Sequence, residues 1–288
     1  MTGTSLTNYD AEWAAYAQQF ATQVPVTAGG KSLSIKGGVF SQGDQQLGTM
    51  LCAIILDSVA LNKYYEGDYV DGAKAVPKCY AYGFPPEEMR PHVESMQQHM
   101  DVFYPQTLNP ATGEVGPCSK CKWNEFGTAS RGAGKACKNV DRLALIPAGM
   151  FVQQRGGFGY DLKLFTDPQH FATIELNKMD LPVTSVKNYR EYSNRIIQET
   201  GRPPWGVITV IELAPHPKFQ TEVKFHLQEL IPSDLFPVMR DRYVNTHAGM
   251  IEPFSPPRDE APAAAAHAQP AATPRPAFVP QTAQGLRR

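Results

Sequence analysis

The segment "PCSKCKWNEFGTASRGAGKACKN", residues 117–139, constrains this chain more than any other. It holds three of the five cysteines, is crowded with Lys and Gly, and has few large apolar anchors. A stretch of this composition buries too little to order itself, so something else must hold it. Three chemistries fit a first glance: a phosphate-binding loop, a redox pair and half of a metal site. "GAGKACKN" fails as a phosphate loop, because Ala129 stands where the first Gly belongs and Ala136 replaces the hydroxyl residue that holds magnesium. A redox Cys-x-x-Cys belongs at the start of a helix in a βαβ unit, whereas Cys118 and Cys121 follow "ATGEVGP" and precede a glycine loop.

Zinc explains more. A Cys-x-x-Cys turn puts two thiolates on one side of a tight knuckle, and a tetrahedral ion needs two more ligands. Cys137 follows Cys121 after fifteen residues, and Cys79 is the one remaining cysteine outside an apolar run. Cys79, Cys118, Cys121 and Cys137 form a closed four-thiolate set, which makes the Zn²⁺ structural. Four thiolates around the ion leave a net charge of about −2, and Lys78, Lys120, Lys122, Lys135 and Lys138 flank the ligands. Cys52 lies inside "LGTMLCAIILDSVA" and reads as a core thiol. The competing reading is a set of reduced, unligated cysteines, and His92 or His99 is an alternative ligand.

Charge suggests a use for the site. Residues 117–142 carry Lys120, Lys122, Arg131, Lys135, Lys138 and Arg142 against Glu125 and Asp141, a local +4 in a chain of net charge −1. Trp123 and Phe126 are interleaved with these cations. Cations beside exposed aromatics suit a nucleic-acid single strand, with charge for phosphates and π-faces for unpaired bases. Tyr64, Tyr65 and Tyr82, then Arg155 and Phe158 in "RGGFGY", extend the candidate contact set. The alternative is that Trp123 and Phe126 pack under the knuckle as a miniature core, and that 155–160 is a hairpin tip.

The rest of the chain reads as one mainly β domain with helices. Of its 288 residues, 42% are hydrophobic, enough for a core, and no run of 18 apolar residues is present to span a membrane. The start, "MTGTSLTNYDAEW", lacks the pattern of a secretory signal, which places the expected location in the cytoplasm. A short amphipathic helix is expected over 10–23, strands at "SLSIKGGVF", "LGTMLCAIILDSVA", "RLALIPAG" and "HFATIELNK", a strand or short helix at "DLKLFT", and a helix at "SVKNYREYSNRIIQETG" capped by Ser185. "WGVITVIELAPHP" and "TEVKFHLQELI" read as an antiparallel hairpin. A helix follows from about Ser233, with Pro237 as a break risk. The divisions are an N-terminal helical segment 1–31, a domain 32–251 with the cysteine insertion at about 77–140, and an Ala/Pro-rich tail 252–288 read as disordered. Strand count and glycine bends suit an OB-like β-barrel.

The order "PKCYAYG", "CSKCKWNEFGTASRGAGKACKN", "RLALIP", with the later "LPVTSVKNYREY" and "PPWGVITVIEL", resembles a family of phage-type single-stranded DNA-binding proteins. The resemblance covers roughly 32–250. It implies an OB-type core interrupted by a cysteine-rich zinc loop, single-stranded DNA as the partner, a role in DNA replication or recombination with the proteins of those processes, and host cytoplasm as the location. The acidic tail with an aromatic end that many single-strand binders carry is missing, since residues 252–288 hold three acids and four arginines. No carboxylate cluster, nucleophile elbow or open metal position points to catalysis. A nuclease and a zinc-knuckle adaptor for protein contacts are the competing classes.

Overall fold

Two long apolar runs set the architecture. Residues alternate across a strand, so a strand buried on both faces reads as a continuous hydrophobic stretch. "MLCAIILDSVALNKY" does this as β4 (Met50–Tyr64), and "CKNVDRLALIPAGMFVQ" as β6 (Cys137–Gln153). The two pair antiparallel from Cys52↔Gly149 to Tyr64↔Cys137, with register shifts after Cys52 and after Ile55. The computed structural model describes residues 11–15, 31–66, 76–83, 88–98, 111–112, 114–130, 132–154, 159–218, 220–247 and 249–251. These belong to one unit, Met1–Phe254.

Around this pair, ten strands among the described residues form one mixed sheet. The others are β1 (Lys31–Lys36), β2 (Val39–Gln42), β3 (Gln45–Gly48), β5 (Cys79–Tyr82), β7 (Tyr160–Leu164), β8 (Asn177–Asp180), β9 (Val207–His216) and β10 (Gln220–Leu230). Their order is β10-β9-β4-β6-β8-β1-β2-β3, with β5 added on β4 and β7 on β6. The path is open, so the fold is mixed α/β on a large sheet, and the strand order does not close the expected OB-like barrel. The helices are α1 (Val93–Gln98), α2 (Pro168–Thr173), α3 (Val186–Thr200) and α4 (Phe236–His247). Among the described residues, no helix is long and apolar enough to cross a membrane.

Each face of the sheet buries its own core. Cys52, Ile54 and Leu56 of β4, with Ala144, Ile146 and Ala148 of β6, meet Phe171 of α2 and Phe236, Met239 and Tyr243 of α4. Ala53 and Ile55, with Leu143 and Leu145, meet Tyr189, Tyr192 and Ile196 of α3. The α3 stripe follows the i, i+3, i+7 spacing of a helix face. That helix ends at Gly201, whose φ of +66° carries the left-handed turn while its N–H donates to Ile197 O at 3.0 Å.

Several expectations shift in detail. Ser185 stands at the N-terminus of α3, yet its hydroxyl accepts the N–H of Val223 on β10 at 2.9 Å and makes no cap bond. Pro237 falls in the first turn of α4, where a missing N–H breaks nothing. The stretch expected to be one strand from His170 splits into α2, started by Asp167 accepting from Gln169 N, and the short β8. Of the N-terminal helix, residues 11–15 are helical; Tyr16, Ala17 and Phe20 lie outside the described residues, as does the tail 252–288.

Trp13 is not a peripheral side chain. It is 1% exposed, with its ring 4.6 Å from both Trp205 and Phe236 and the Arg202 guanidinium 5.0 Å from it. The segment 1–31 therefore contributes to the domain core. Gly206 permits this approach, because a Cβ there would stand 2.7 Å from Trp13 Cζ3 and 3.0 Å from Arg202 Cβ. Gly206→Ala should destabilise the protein by about 1–3 kcal/mol through overpacking, and Trp13→Ala by about 3–5 kcal/mol through the cavity left behind. Urea unfolding of the two variants checks both.

Candidate metal centre and nucleic-acid interface

The cysteine lobe grows from the end of the β4–β6 pair. On one row across the sheet, Tyr64 of β4 pairs with Cys79 of β5 on one side and Cys137 of β6 on the other. Paired residues share a face, so the two cysteines stand two strands apart, roughly 10 Å between Cα atoms at ordinary strand spacing. Cys118 and Cys121 come from the intervening excursion. Residues Cys118–Lys120 make one 3₁₀ turn and Lys122–Asn124 another. The first is fixed by Cys118 N donating to Met89 O (2.7 Å) and Cys121 N donating to Cys118 O (3.2 Å).

All four cysteines line one small cavity, together with Asn62, Trp123 and Asn124. All five cysteines of the chain are free thiols. Burial pushes the thiols up, to about 12 for Cys79 and about 11 for Cys118, and raises Cys121 and Cys137 as well. The neighbouring cysteines push Cys79, Cys118 and Cys137 further, since each thiolate would repel the next. Polar groups lie near three of the sulfurs: the backbone N–H groups of Trp123 and Asn124 near Cys121, the Asn62 amide near Cys118, and near Cys79 the Ser95 hydroxyl, which itself donates to Lys78 O at 2.9 Å. Cys52 is elsewhere, buried in the core under α4.

The cysteines converge without forming an assembled ligand shell. Among the described residues, no group of three or more His, Cys, Asp or Glu side chains is placed to hold a metal ion. The donors themselves are four soft thiols, which is the chemistry Zn²⁺ takes in closed sites. His92 is turned to another purpose, stacked on Tyr80 with ring centroids 5.0 Å apart. His99 lies outside the described residues.

Between Cys121 and Cys137 the chain forms a small lobe. Gly127 N donates to Ala133 O and Gly134 O, Ala129 N to Gly134 O, and Ala136 N to the Thr128 hydroxyl at 3.0 Å. Trp123 is half-buried, stacked on Tyr64 at 4.9 Å and 21°, with Lys122 Nζ 5.5 Å from its ring. Phe126 is 80% exposed, with Lys135 Nζ 5.1 Å from its ring. The packing therefore makes Trp123 the apolar anchor of the lobe and leaves Phe126 open to a ligand. Lys120, Lys122 and Lys138 are exposed on the same segment of chain. Arg131, Arg155 and Phe158 lie outside the described residues.

The tyrosines divide. Tyr64 belongs to the cysteine row, whereas Tyr82 meets Arg142, whose Nη1 donates to its hydroxyl at 3.1 Å. Arg142 is buried and committed to Asp180, with Nε donating at 2.7 Å and Nη2 at 3.2 Å. Lys63 donates to the same carboxylate at 2.7 Å. Tyr65 feels both Asp180 and Arg142, although burial is the main reason its phenol rises to about 12. Arg142 therefore leaves the set of surface cations, and Asp141 is likewise occupied by Arg190 at 2.8 and 2.7 Å.

Sequence reasoning missed Asn62, Ser95, Asn124 and Asn139, the polar groups that surround the cysteines. Asn62, buried at the end of an apolar strand, carried the one available signal, because a buried amide must find partners.

Burial alone would raise the Asp180 carboxyl, but Arg142 and Lys63 outweigh it and hold it at about 2. A folded-state value below the ordinary one of about 4 gives stability that is full above pH ~4 and lost as the pH falls toward ~2. The shift corresponds to something on the order of 2 kcal/mol. Asp180→Asn should flatten unfolding free energy between those pH values, and it should lower stability at neutral pH because it leaves Arg142 buried without its anion. Urea titrations across pH check the slope.

Comparison with protein-family models, with curated proteins and with solved structures found no match for this chain.

Proposed function

We propose that this protein binds single-stranded DNA through a lobe ordered by a structural zinc ion, largely without sequence preference. The observation that carries the reading is convergence. Cysteines from β5, from a 3₁₀ turn and from the start of β6 line one cavity, and an exposed, cation-backed aromatic sits on the loop between them. Cys79, Cys118, Cys121 and Cys137 would hold the ion, with Asn62, Ser95 and the N–H groups of Trp123 and Asn124 orienting the sulfurs. Zinc supplies charge to four otherwise repelling thiolates and folding free energy to a lobe with one large apolar anchor. Phe126 would stack on a base, and Lys120, Lys122 and Lys138 would neutralise phosphates.

The reading does not require a closed OB-like barrel, because the cysteines are carried by the end of the β5–β4–β6 ladder and the turn beside it. Covering single strands during replication or recombination, as in the phage-type proteins this sequence resembles, is the role that follows, with the proteins of those processes as further partners. No catalytic step is part of it. The open alternative, a zinc knuckle for protein contacts, accounts less well for an exposed phenylalanine backed by a lysine on a lysine-rich segment.

Two measurements test the proposal. Purified protein should carry about one zinc per chain; Cys118→Ser or Cys137→Ser should release it and lower the melting temperature, and Cys52→Ser should leave it bound. Retention in Cys118→Ser with loss in Cys52→Ser would show that the wrong four had been chosen. In mobility shifts, oligo-dT should bind in preference to duplex of equal length. Phe126→Ala should weaken that binding by roughly 1–3 kcal/mol with little dependence on base, while zinc content stays unchanged. Trp123→Ala should instead reduce zinc retention and stability, as expected of a packed anchor. Equal affinity for duplex, or a Phe126→Ala protein that binds as well as wild type, would sink the strand-binding interface.

A further inference from the structure

Lys135 differs from the other lysines of the lobe in where its ammonium points. Lys120, Lys122 and Lys138 are exposed, whereas Lys135 is half-buried. Its Nζ donates to Asn124 Oδ1 and to Asn139 Oδ1, both at 3.2 Å, and lies 5.1 Å from the centroid of the Phe126 ring. An ammonium has three N–H groups; two are committed to amides, and the ring occupies a further direction. Both amides lead back to the cysteines. Asn124 Nδ2 donates to Cys118 O at 2.9 Å. Asn139 Nδ2 donates to Asn62 Oδ1 at 2.5 Å, and the rest of the Asn62 amide faces the Cys118 sulfur. The backbone of Lys135 is tied in as well, since its carbonyl accepts Lys138 Nζ at 3.0 Å.

We propose that Lys135 is a positioning residue that couples the cysteine cluster to Phe126, holding the ring for stacking without contacting phosphate. The inference rests on the strand-binding reading above and assigns a distinct role within it. Phe126 is 80% exposed and has little packing to orient it. The cation on one face of the ring leaves the other face for a base, and the amide pair fixes where that cation stands relative to the cysteines. A lysine that neutralises a phosphate changes the salt dependence of binding, whereas one that aims an aromatic ring changes affinity alone.

The test is a double-mutant cycle with oligo-dT titrated over a range of salt, zinc content being measured for each protein. The set is wild type, Phe126→Ala, Lys135→Met, the double variant and Lys135→Arg. Lys135→Met should lose about tenfold in affinity, within the range of one stacked base, with the log-log salt slope unchanged. Phe126→Ala should then cost little more in the Lys135→Met background, and Lys135→Arg, which keeps a cation over the ring, should restore most of the affinity. A slope reduced by about 0.7 in Lys135→Met, with the Phe126 effect fully additive, would make Lys135 a phosphate contact and overturn the inference. If Lys135→Met also releases zinc, Lys135→Arg decides: restored affinity at the wild-type slope supports the role, and a loss equal to that of Met overturns it. Wild-type protein that fails to bind oligo-dT defeats the strand-binding reading itself. Binding with an additive cycle defeats only the coupling.

Discussion

The antiparallel pairing of β4 with β6 is the constraint on which the rest of the structure depends. Strands of 15 and 17 residues are well beyond the usual five or six. Over one half the pair is buried on both faces, with α4 and α2 against one side and α3 against the other. Past Leu61 the apolar run gives way to Asn62 and Lys63, and the same ladder continues as a ribbon that β5 joins. The ribbon places Lys63 directly opposite Lys138, a like-charged pair that would weaken the ladder. Each ammonium is drawn off to its own acceptor, Lys63 to Asp180 and Lys138 to the Lys135 carbonyl. Half-buried Asp180 thus serves the sheet twice, once as the anion of Arg142 and once by relieving this pair.

An open sheet has edges, and one of them is managed by side chains. At Val223 on β10 the outward N–H donates to the Ser185 hydroxyl, and the carbonyl accepts Asn188 Nδ2 at 3.0 Å. The start of α3 thereby gives up its own side-chain cap to satisfy an edge strand, a use of helix-terminal polar groups that discourages further strand addition at that point. The other helical contribution comes from far away in sequence. Trp13 fills the space between Trp205 and Phe236, so the first helical turn of the chain is built into the face that α4 covers.

Much of this was legible in the sequence where local periodicity and burial agree. The two-face burial of β4, the α3 stripe from Tyr189 to Ile196 with its Gly201 stop, and the β9–β10 hairpin follow from residue order alone. What could not be read were choices made by distant partners. Ser185 looks like a cap until Val223 competes for its hydroxyl. Arg142 looks like a surface cation in a basic segment until β8 brings Asp180, 38 residues on, to its guanidinium. Barrel closure was inferred from strand count, yet count does not determine order, and β8 inserts between β6 and β1 to give an open path. In the lobe, spacing selected four cysteines that converge, but it carried no information about the amides and hydroxyl around them.

The two aromatics of the lobe show why composition alone could not assign their roles. Trp123 and Phe126 lie three residues apart, both beside lysines, and both suit a stacking platform by type. The difference arises from the row Cys79–Tyr64–Cys137, which offers one aromatic surface at the base of the lobe. Trp123, in the 3₁₀ turn that directly follows Cys121, is placed to cover Tyr64, and doing so supplies a large apolar contact that holds the lobe down. With that position filled, Phe126 stays 80% exposed, with Lys135 against its ring. The exposure of Phe126 thus follows from Trp123 taking the surface that Tyr64 offers, and not from any difference in the two side chains' affinity for water.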